Sequence, residues 1–362
     1  MPETRPLSEA EAADRIAHAA GSGKTLILTH VNPDADCIGS ALGLRAVIRS
    51  LGGDADVLVP SPLPRYLAFL PALAGCDVSS PEPEELPADR YASVLSVDAA
   101  SPVQLGKYAA LIPEISLMID HHGRGEPFAP YLVDPEAAAA GQIVYRLVRL
   151  LRERGILDSP LPDAARFLYC AVVGDTGGFQ FSNTTPAVHR AAAELLEEMS
   201  ADGNDPAGNQ PDAADLCRRL LAEKSMTDLK AESLTIRNLR LYEQGRLAAV
   251  LFTRDMLREE GLTEEDIGGA VDIPRSLEGV AVALTLRQTG DDPKKFKLSS
   301  RANADLDCAS VCAGFGGGGH KRAAGATIEA DTPEEALSLA VNAFMTLFEQ
   351  PAEAECPYEQ PT

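Results

Sequence analysis

A histidine and two aspartates, His30, Asp34 and Asp36, occur within seven positions in the segment THVNPDADCIGS, residues 29–40. The segment directly follows the apolar run LIL, which predicts a buried β-strand. Like charges repel, and removal from water penalises each carboxylate, so this grouping is costly unless a partner neutralises it. The pattern therefore indicates a bound cation at the end of the strand.

Further carboxylates and imidazoles follow other predicted elements of the first half. Asp98 ends the strand ASVLSVDA, and Asp175 lies in the glycine-rich turn GDTGGF. The strand ISLMI is followed directly by Asp120, His121 and His122. Each one alone has an ordinary explanation as a helix cap, a turn residue or a structural histidine. Five aspartates and three histidines at converging strand ends would stay unpaired without cations.

The residue types also restrict the metal. Carboxylate and imidazole ligands together favour divalent transition ions, Mn²⁺ especially, over calcium. Cys37 is the one cysteine of the cluster, which argues against a structural zinc site. The ligands suffice for two ions per chain if one carboxylate bridges them.

The elements that must position these residues predict an α/β fold. Apolar strands alternate with helices in the first half, at 25–30, 37–53, 54–60, 92–99, 115–120 and 136–155. This alternation predicts a Rossmann-like N-terminal domain with a mostly parallel sheet and helices on both faces. Ligands bind at the carboxyl ends of the strands in such sheets, where the acidic segments fall.

The second half predicts a smaller mixed α/β domain. Two strand pairs, LRLYEQGRLAAVLFT and GVAVALTLRQTGDDPKKFKLSSRA, precede a closing helix with Thr332 and Glu335 spaced as a capping box. We expect a catalytic domain at 8–200, a connecting region at 201–238 made of a linker (201–212) and a long polar helix (about 213–238), and the second domain at 239–350. The tail from Pro351 is expected to be disordered.

Two glycine-rich segments only superficially match nucleotide-binding motifs. GSGKT, residues 21–25, precedes its strand, and His18 stands where a phosphate loop needs its first glycine. GFGGGG, residues 314–319, lies too late in the chain for a dinucleotide fingerprint. Cys308 and Cys312, spaced for one helix face, are expected to be buried side chains and not metal ligands.

The composition limits the partners. The 362 residues carry a formal net charge of −22, which argues against a general electrostatic hold on long duplex nucleic acid. The chain has no tryptophan and few aromatic residues, which argues against a broad base-stacking platform. The N-terminus does not read as a signal peptide, and no apolar run approaches a membrane span. Scattered, odd-numbered cysteines fit a reducing environment, so a cytoplasmic protein without membrane contact is expected.

THVNPDADCIGS, VDAAS, IDHHG and GDTGGF resemble, in order and spacing, the four motifs of the DHH phosphoesterase family. The segment SSRANADLDCASVCAGFGGGGHKRAAGATIEA resembles the companion C-terminal domain with its GGGH-x-x-AAG signature. The resemblance spans about residues 8 to 348. It is nearest to bacterial stand-alone enzymes that degrade short oligoribonucleotides and remove phosphate from 3′-phosphoadenosine 5′-phosphate.

The resemblance implies a role for each motif residue. His30 and Asp34 would hold one Mn²⁺, the second would be held by Asp36, His121 and Asp175, and Asp98 would bridge the two. Two such ions activate water and stabilise the charge of phosphoester hydrolysis. The remaining two residues would act beside the metals: Asp120 as an orienting group, and His122 as the group that faces the phosphate.

The C-terminal motif would supply the positive and hydrogen-bonding groups that an acidic chain lacks. The implied substrate-binding residues are Arg301, Asn303, Gly317, Gly318, Gly319 and His320. A glycine loop would present backbone N–H groups to a phosphate beside His320, and Arg301 would offer a forked guanidinium.

Two departures from the family pattern affect substrate preference and subunit packing, not the metal ligands. AAAAGQ, residues 137–142, replaces a Ser-Thr and acidic stretch, and Gln104 stands where many relatives have arginine. Cyclic di-AMP or a linear dinucleotide remains an alternative substrate, and a catalytically silent nucleotide sensor is a third possibility. A homodimer is compatible with the sequence.

Overall fold

The structure, a computed structural model, describes residues 4–86, 90–158, 160–201, 210–290 and 292–349. The chain forms two compact units that divide between Glu223 and Lys224. Each unit has its own sheet and its own apolar core.

The first unit is built on six parallel strands. Their order is β3-β2-β1-β4-β5-β6. The strands are β1 (Lys24–Leu28), β2 (Asp54–Leu58), β3 (Val78–Ser79), β4 (Ser93–Val97), β5 (Ile115–Asp120) and β6 (Tyr131–Val133). The helices are α1 (Glu9–Ser22), α2 (Ala35–Ser50), α3 (Phe69–Leu73), α4 (Ala140–Glu153), α5 (Pro162–Asp175), α6 (Pro186–Met199) and α7 (Ala213–Cys217).

The central strands are buried on both faces, as their continuous apolar sequences predict. In β1, Ile27 packs into the core formed with the α-helices. Its neighbours Leu26 and Leu28 point to the opposite face. That face is covered by the 3₁₀ segment Pro102–Glu114, with Tyr108 fully buried there. The predicted parallel sheet with helical cover is therefore confirmed, and one of the two covers is a 3₁₀ segment.

The strand order changes direction between β1 and β4. The chain runs outwards through β2 and β3, then returns to place β4 on the other side of β1. Such a switch point opens a crevice at the carboxyl ends of the two strands, which is where ligands bind in α/β sheets.

Close packing of α2 on α5 fixes the geometry beside this crevice. A Cβ at Gly39 would lie 2.5 Å from the Phe167 carbonyl oxygen. A Cβ at Gly174 would overlap the Cβ of Ala35. The two helices can therefore approach this closely only because glycine occupies these positions.

The second unit has a six-stranded mixed sheet in the order β11-β12-β10-β9-β8-β7. Among the residues that the structure describes, β8 and β9 pair in parallel, and the other neighbouring strands of this sheet pair antiparallel. The strands are β7 (Leu239–Tyr242), β8 (Leu247–Phe252), β9 (Val282–Gln288), β10 (Lys295–Ala302), β11 (Gly318–His320) and β12 (Ala323–Glu329). The helices are α8 (Met226–Arg237), α9 (Arg254–Glu260), α10 (Asp272–Arg275), α11 (Cys308–Ala313) and α12 (Pro333–Glu349).

The strand pairs predicted for the second half are confirmed. β7 and β8 pair antiparallel around a turn in which Gln244 has φ +57° and Gly245 has φ +90°. The Thr332 hydroxyl accepts from the Glu335 N–H at 3.2 Å before α12. The predicted capping box is completed one residue earlier than expected, because the Glu335 carboxylate accepts from the N–H of Asp331.

The predicted long helix at 213–238 is wrong. α7 passes into a single π-helical turn, Arg218–Ala222, and Glu223 is extended with ψ 124°. Ser225 then caps a new helix, α8, through a capping box with Asp228. The break coincides with the boundary between the two units.

Smaller differences concern element ends. The helix expected at 136–155 begins at Ala140, and the short strands β3 and β6 were not predicted. Most of the predicted linker at 201–212 and the tail from Pro351 lie outside the described residues. Cys308 and Cys312 are buried, as predicted.

Across the described part of the chain, every helix is too short or too polar to cross a bilayer.

Candidate metal centre

The candidate residues of the first half converge at the carboxyl ends of β1, β4 and β5. These strands are neighbours in the sheet, so His30, Asp98 and the run from Asp120 to His122 meet at one edge. The first turn of α2 adds Asp34 and Asp36, and the last residue of α5 is Asp175. All the residues predicted from this half therefore share one site.

One group of ligand atoms surrounds the Nε2 atom of His121. It lies 3.5 Å from Oδ2 of Asp36, 3.4 Å from Oδ2 of Asp175 and 3.6 Å from Oδ1 of Asp98. Ligand atoms of His121, Asp36 and Asp175 all lie within 4.8 Å of one another, a spacing that one ion can span.

A second group surrounds the Nε2 atom of His30. Oδ2 of Asp98 lies 3.2 Å away and Oδ1 of Asp34 lies 3.8 Å away. Asp98 thus directs one carboxylate oxygen towards each imidazole, Oδ2 to His30 and Oδ1 to His121. This is the arrangement expected of a carboxylate shared by two ions.

Backbone carbonyls orient both imidazoles. Nδ1 of His30 lies 2.7 Å from the Val31 carbonyl oxygen, and Nδ1 of His121 lies 3.2 Å from that of Ala137. A carbonyl only accepts, so it fixes the proton on Nδ1 and leaves the Nε2 lone pair of a neutral ring facing the carboxylates. Histidine metal ligands are commonly held this way.

Asp98 tests whether a cation fits the site. The residue is 1% exposed, and its Oδ1 has no hydrogen-bond partner among the residues that the structure describes. Its φ of +59° is in the left-handed region, which few residues other than glycine, asparagine and aspartate adopt. A buried, strained carboxylate with an unsatisfied oxygen is costly, and a metal ion would satisfy it.

The electrostatics give the same result. Burial and then the charge of Asp36 raise the pKa of Asp98 well above its ordinary value. Burial, followed by the charge of Asp36, also raises the pKa of Asp175 to about 7. Burial raises the pKa of Asp36 itself. These carboxylates resist ionising together, and bound cations would remove that resistance.

His122 differs from the other two histidines. Its side chain is 41% exposed, and its Nδ1 lies 2.7 Å from Oδ1 of the buried Asp120. The hydrogen bond to Asp120 raises the pKa of His122 to about 9. The metal-free site therefore favours the protonated imidazole, whose ring is partly open to solvent.

The sequence did not reveal what holds Asp36. Its Oδ1 accepts from the Ser40 hydroxyl at 2.6 Å and from the Gly141 N–H at 3.0 Å, and its Oδ2 accepts from the Ala140 N–H at 2.6 Å. These N–H groups begin α4, so the run AAAAGQ supplies backbone donors to a predicted metal ligand. A run of small residues was the only signal, and it also fits a simple helix start.

Two further residues support the strand ends. The Gln104 side-chain oxygen accepts from the Ala100 N–H at 2.6 Å, and its carbonyl accepts from the Val31 N–H at 2.8 Å. Gln104 thereby joins the loops that follow His30 and Asp98. The thiol of Cys37 is buried, and its sulfur lies within 4.8 Å of ligand atoms of His30 and Asp98.

The predicted substrate-binding residues lie in the second unit. The glycine segment is not the loop that was expected, because Gly318, Gly319 and His320 form the edge strand β11, and all three residues are exposed. Gly319 has φ +143°, and a Cβ there would lie 2.5 Å from the Ala323 carbonyl oxygen. A Cβ at Gly317 would overlap the Gly325 carbonyl oxygen. Glycine is required here so that two strands can approach closely.

Arg301 is the last residue but one of β10, and Asn303 directly follows the strand. The Arg301 guanidinium donates to the Ser300 carbonyl at 2.9 Å. The Asn303 amide donates to the carbonyls of Arg275 at 2.7 Å and Val280 at 3.0 Å, so it fixes the backbone around it. The basic pair after the glycines, Lys321 and Arg322, makes ion pairs with Asp305.

Comparison with known proteins gives matches over both units. The model of the DHH family, N-terminal domain, matches residues 24–172, and that of the DHHA1 domain matches residues 246–348. The bifunctional oligoribonuclease and PAP phosphatase NrnA of Thermus thermophilus is 33% identical over 312 residues, which are 86% of each chain. The cyclic-di-AMP phosphodiesterase GdpP of Geobacillus thermodenitrificans is 26% identical over 352 residues, 92% of this chain and 50% of that protein.

A solved structure supports the fold. The exopolyphosphatase-related protein from Bacteroides fragilis superposes with a TM-score of 0.77 at 23% identity, covering 93% of this chain and 96% of that one. The acidic strand ends and the glycine–histidine strand fall within the two matched domains. The chain belongs to the DHH family, and it is a hydrolase of phosphoester bonds.

Proposed function

We propose that this protein is a Mn²⁺-dependent phosphoesterase that hydrolyses short oligoribonucleotides and 3′-phosphoadenosine 5′-phosphate. One observation carries the proposal. Asp98 is buried at a strand end with one oxygen towards each of two imidazoles, and its Oδ1 has no partner among the described residues. A shared carboxylate of this kind suits a pair of divalent ions.

Two ligand groups would hold the ions. His30 and Asp34 would hold one, Asp36, His121 and Asp175 would hold the other, and Asp98 would contact both. Bound metal ions supply a nucleophile at neutral pH and stabilise the charge that develops on the phosphate oxygens. The mixed oxygen and nitrogen donors favour Mn²⁺ over Ca²⁺.

The chain's own residues would move the proton. In the metal-free site the hydrogen bond to Asp120 raises the pKa of His122 and so favours its charged form, and His122 is the most exposed of the site's three histidines. We expect its Nε2 to donate a proton to the leaving oxygen, while Asp120 holds the ring through Nδ1. Asp120 thus acts through His122 and does not touch the substrate.

The second unit would bind the rest of the nucleotide. Arg301 offers further guanidinium donors, and β11 offers the N–H groups of an exposed edge together with His320. The net charge of −22 opposes long polyanions, so the substrate would carry few phosphates. The similarity to the Thermus thermophilus oligoribonuclease and PAP phosphatase supports this substrate class.

A cyclic or linear dinucleotide is a second candidate. The similarity to the cyclic-di-AMP phosphodiesterase supports it, although this chain spans half of that protein. Oligoribonucleotides and dinucleotides both present a phosphodiester between two nucleosides, so the same centre would serve either substrate.

A substrate panel tests the proposal. The purified protein is incubated with Mn²⁺ and 3′-phosphoadenosine 5′-phosphate, di- to pentaribonucleotides, or cyclic di-AMP, each with and without excess chelator. We expect chelator-sensitive release of phosphate and of mononucleotides from the first two. Turnover of cyclic di-AMP alone would favour the second candidate, and activity unchanged by chelator would contradict the metal centre.

A further inference from the structure

The loop after Asp175 carries two consecutive left-handed glycines, and an apolar side chain covers each one. Gly177 has φ +55°, and a Cβ there would overlap the ring of Phe181. Gly178 has φ +66°, and a Cβ there would lie 2.8 Å from Cδ1 of Leu221. Glycine alone tolerates both the backbone conformation and the contact, so these two side chains lie directly on the peptide backbone.

The side chains of Phe181 and Leu221 form what we call the apolar shelf. Phe181 is 49% exposed and Leu221 is 46% exposed, although they come from different elements of the first unit. Single exposed apolar residues are ordinary on protein surfaces. Two that cover adjacent glycines next to a metal ligand are an organised surface.

The shelf has a fixed position relative to the metal centre. The Phe181 N–H donates to the Thr176 carbonyl at 3.0 Å. The Asn183 amide donates to the carbonyls of Asp175 at 3.0 Å and Ala138 at 3.3 Å. The ring therefore lies against the backbone two residues after Asp175, and the loop that carries it is tied to that ligand.

A neighbouring aromatic residue shows that the exposure of Phe181 is not required by packing. Phe179 of the same loop packs against the core and stacks on His189, with ring centroids 5.2 Å apart. The loop thus directs the ring of Phe179 inwards and leaves the ring of Phe181 about half exposed to solvent.

We propose that the apolar shelf is a nucleobase subsite, on which the base of a bound nucleotide stacks against Phe181 and contacts Leu221. This inference rests on the proposed nucleotide substrate. Aromatic rings bind bases through their π-faces with little regard to sequence, and a phenyl ring offers no hydrogen bonds to select one base. Stacking also adds affinity without charge, which an acidic chain needs.

Base-free substrates separate this role from a structural one. The experiment compares Phe181→Ala with wild type on an adenine dinucleotide and on the same dinucleotide with the base nearest the scissile phosphate replaced by an abasic sugar. We expect kcat/KM for the adenine dinucleotide to fall about tenfold, mainly through KM, which corresponds to about 1.4 kcal/mol. The abasic substrate should lose less than about twofold, because it cannot stack.

Matched variants guard against misfolding. Phe181→Trp should keep or improve the preference for the adenine substrate, and Phe181→Leu should lose most of it while it keeps apolar area. Ile156→Ala, which removes another exposed apolar side chain of the first unit, should leave both rates unchanged. Equal losses on both substrates, or no loss on either, would overturn the inference.

A binding measurement distinguishes failure of this inference from failure of the proposed function. If wild type turns over neither dinucleotide, the proposed function is contradicted. The subsite is then judged by the affinities of adenosine 5′-phosphate and ribose 5-phosphate for wild type and Phe181→Ala. Adenosine 5′-phosphate should bind more tightly, and only its affinity should fall in the variant; equal affinities would overturn the subsite.

Discussion

The metal centre and the glycine strand β11 contrast in how their groups are held. Asp36 is 1% exposed and accepts three hydrogen bonds from the protein, and both ligand imidazoles are fixed through Nδ1. Gly318, Gly319 and His320 are instead exposed at a sheet edge. This contrast fits the proposed roles, since a reacting centre must be rigid before the substrate arrives, whereas a recognition edge must leave its donors open to the ligand.

The contrast has an energetic side. The carboxylates of the centre are buried and repel one another, so their ionised forms are unfavourable in the metal-free fold. The second unit places its charges at the surface, where ion pairs contribute little to stability. Changes in the centre should therefore affect reaction and stability together, and changes at the recognition edge should affect binding alone.

The largest expected effect comes from Asp98→Asn. Asparagine tolerates the left-handed φ of +59°, so the fold should be kept, but the charge that two ions would share is lost. We expect kcat to fall by about 10³-fold or more, since bound metals contribute several kcal/mol. The metal-free variant should melt at the same temperature as wild type or higher, because repulsion with Asp36 decreases.

Calorimetry and single-turnover rates with Mn²⁺ would measure this. Asp54→Asn, at an exposed carboxylate at the start of β2, is the matched control and should behave as wild type. Wild-type turnover by Asp98→Asn would show that Asp98 does not serve the metals.

Arg301→Ala should give the next largest effect, and only on extended substrates. Loss of a hydrogen bond to a charged phosphate costs about 1.5–3 kcal/mol in kcat/KM for a dinucleotide. A small ester such as p-nitrophenyl phosphate should lose little, because it lacks the distal phosphate.

Steady-state kinetics on both substrates would check this, with Arg258→Ala as an exposed arginine control in the same unit. If the small ester suffers as much as the dinucleotide, Arg301 acts at the reaction centre, and the contrast between the two regions fails.

Gly174→Ala tests whether helix packing sets the ligand spacing. The added methyl group would overlap Ala35, so α2 and α5 must move apart and carry Asp36 away from Asp175. We expect a loss of about 1–3 kcal/mol in the free energy of unfolding, and weaker Mn²⁺ binding.

The control is Gly21→Ala in α1, where a Cβ meets no atom within 4 Å. It should be neutral or stabilising, because alanine favours helix. Unchanged Mn²⁺ affinity in Gly174→Ala, measured by titration calorimetry, would mean that the crossing is structural only.

The smallest effect concerns the pH dependence of the metal-free protein. The pKa values of Asp175, about 7 against an ordinary 3.8, and His122, about 9 against 6.5, are both raised. A group whose pKa is raised in the folded protein contributes stability that is fully present below its unfolded pKa. That contribution is lost as the pH rises through the folded pKa. The metal-free Tm should therefore fall from about pH 5 to about pH 9.

With saturating Mn²⁺ the trend should reverse over the same range, because metal binding requires deprotonated ligands. Thermal melts with and without chelator would measure both curves. Parallel curves would contradict metal binding by these groups.

The convergence of these side chains could be predicted from the sequence because its signals are local. A carboxylate or imidazole directly after an apolar strand is visible in the chain, and parallel strands bring their ends together by topology. His30, Asp98 and His121 therefore fall where the pattern indicated. Asp36 and Asp175 followed from their places at helix ends beside the same crevice.

The errors came from interactions between distant residues and from competing local signals. The N–H groups that hold Asp36 come from Ala140 and Gly141, over a hundred residues away. The break before α8 depends on Ser225 and Asp228, whose capping box outweighs the polar helical pattern on either side. The glycine segment forms a strand because pairing with β12 outweighs the weak strand preference of glycine.

The left-handed backbone at Asp98 also has an evolutionary consequence. Asparagine and glycine are the residues that best tolerate such a conformation, and each is one nucleotide substitution from an aspartate codon. Either change would preserve the backbone while it removes the shared carboxylate. A gene duplicate of this enzyme could thus become a folded but inactive protein in a single mutational step.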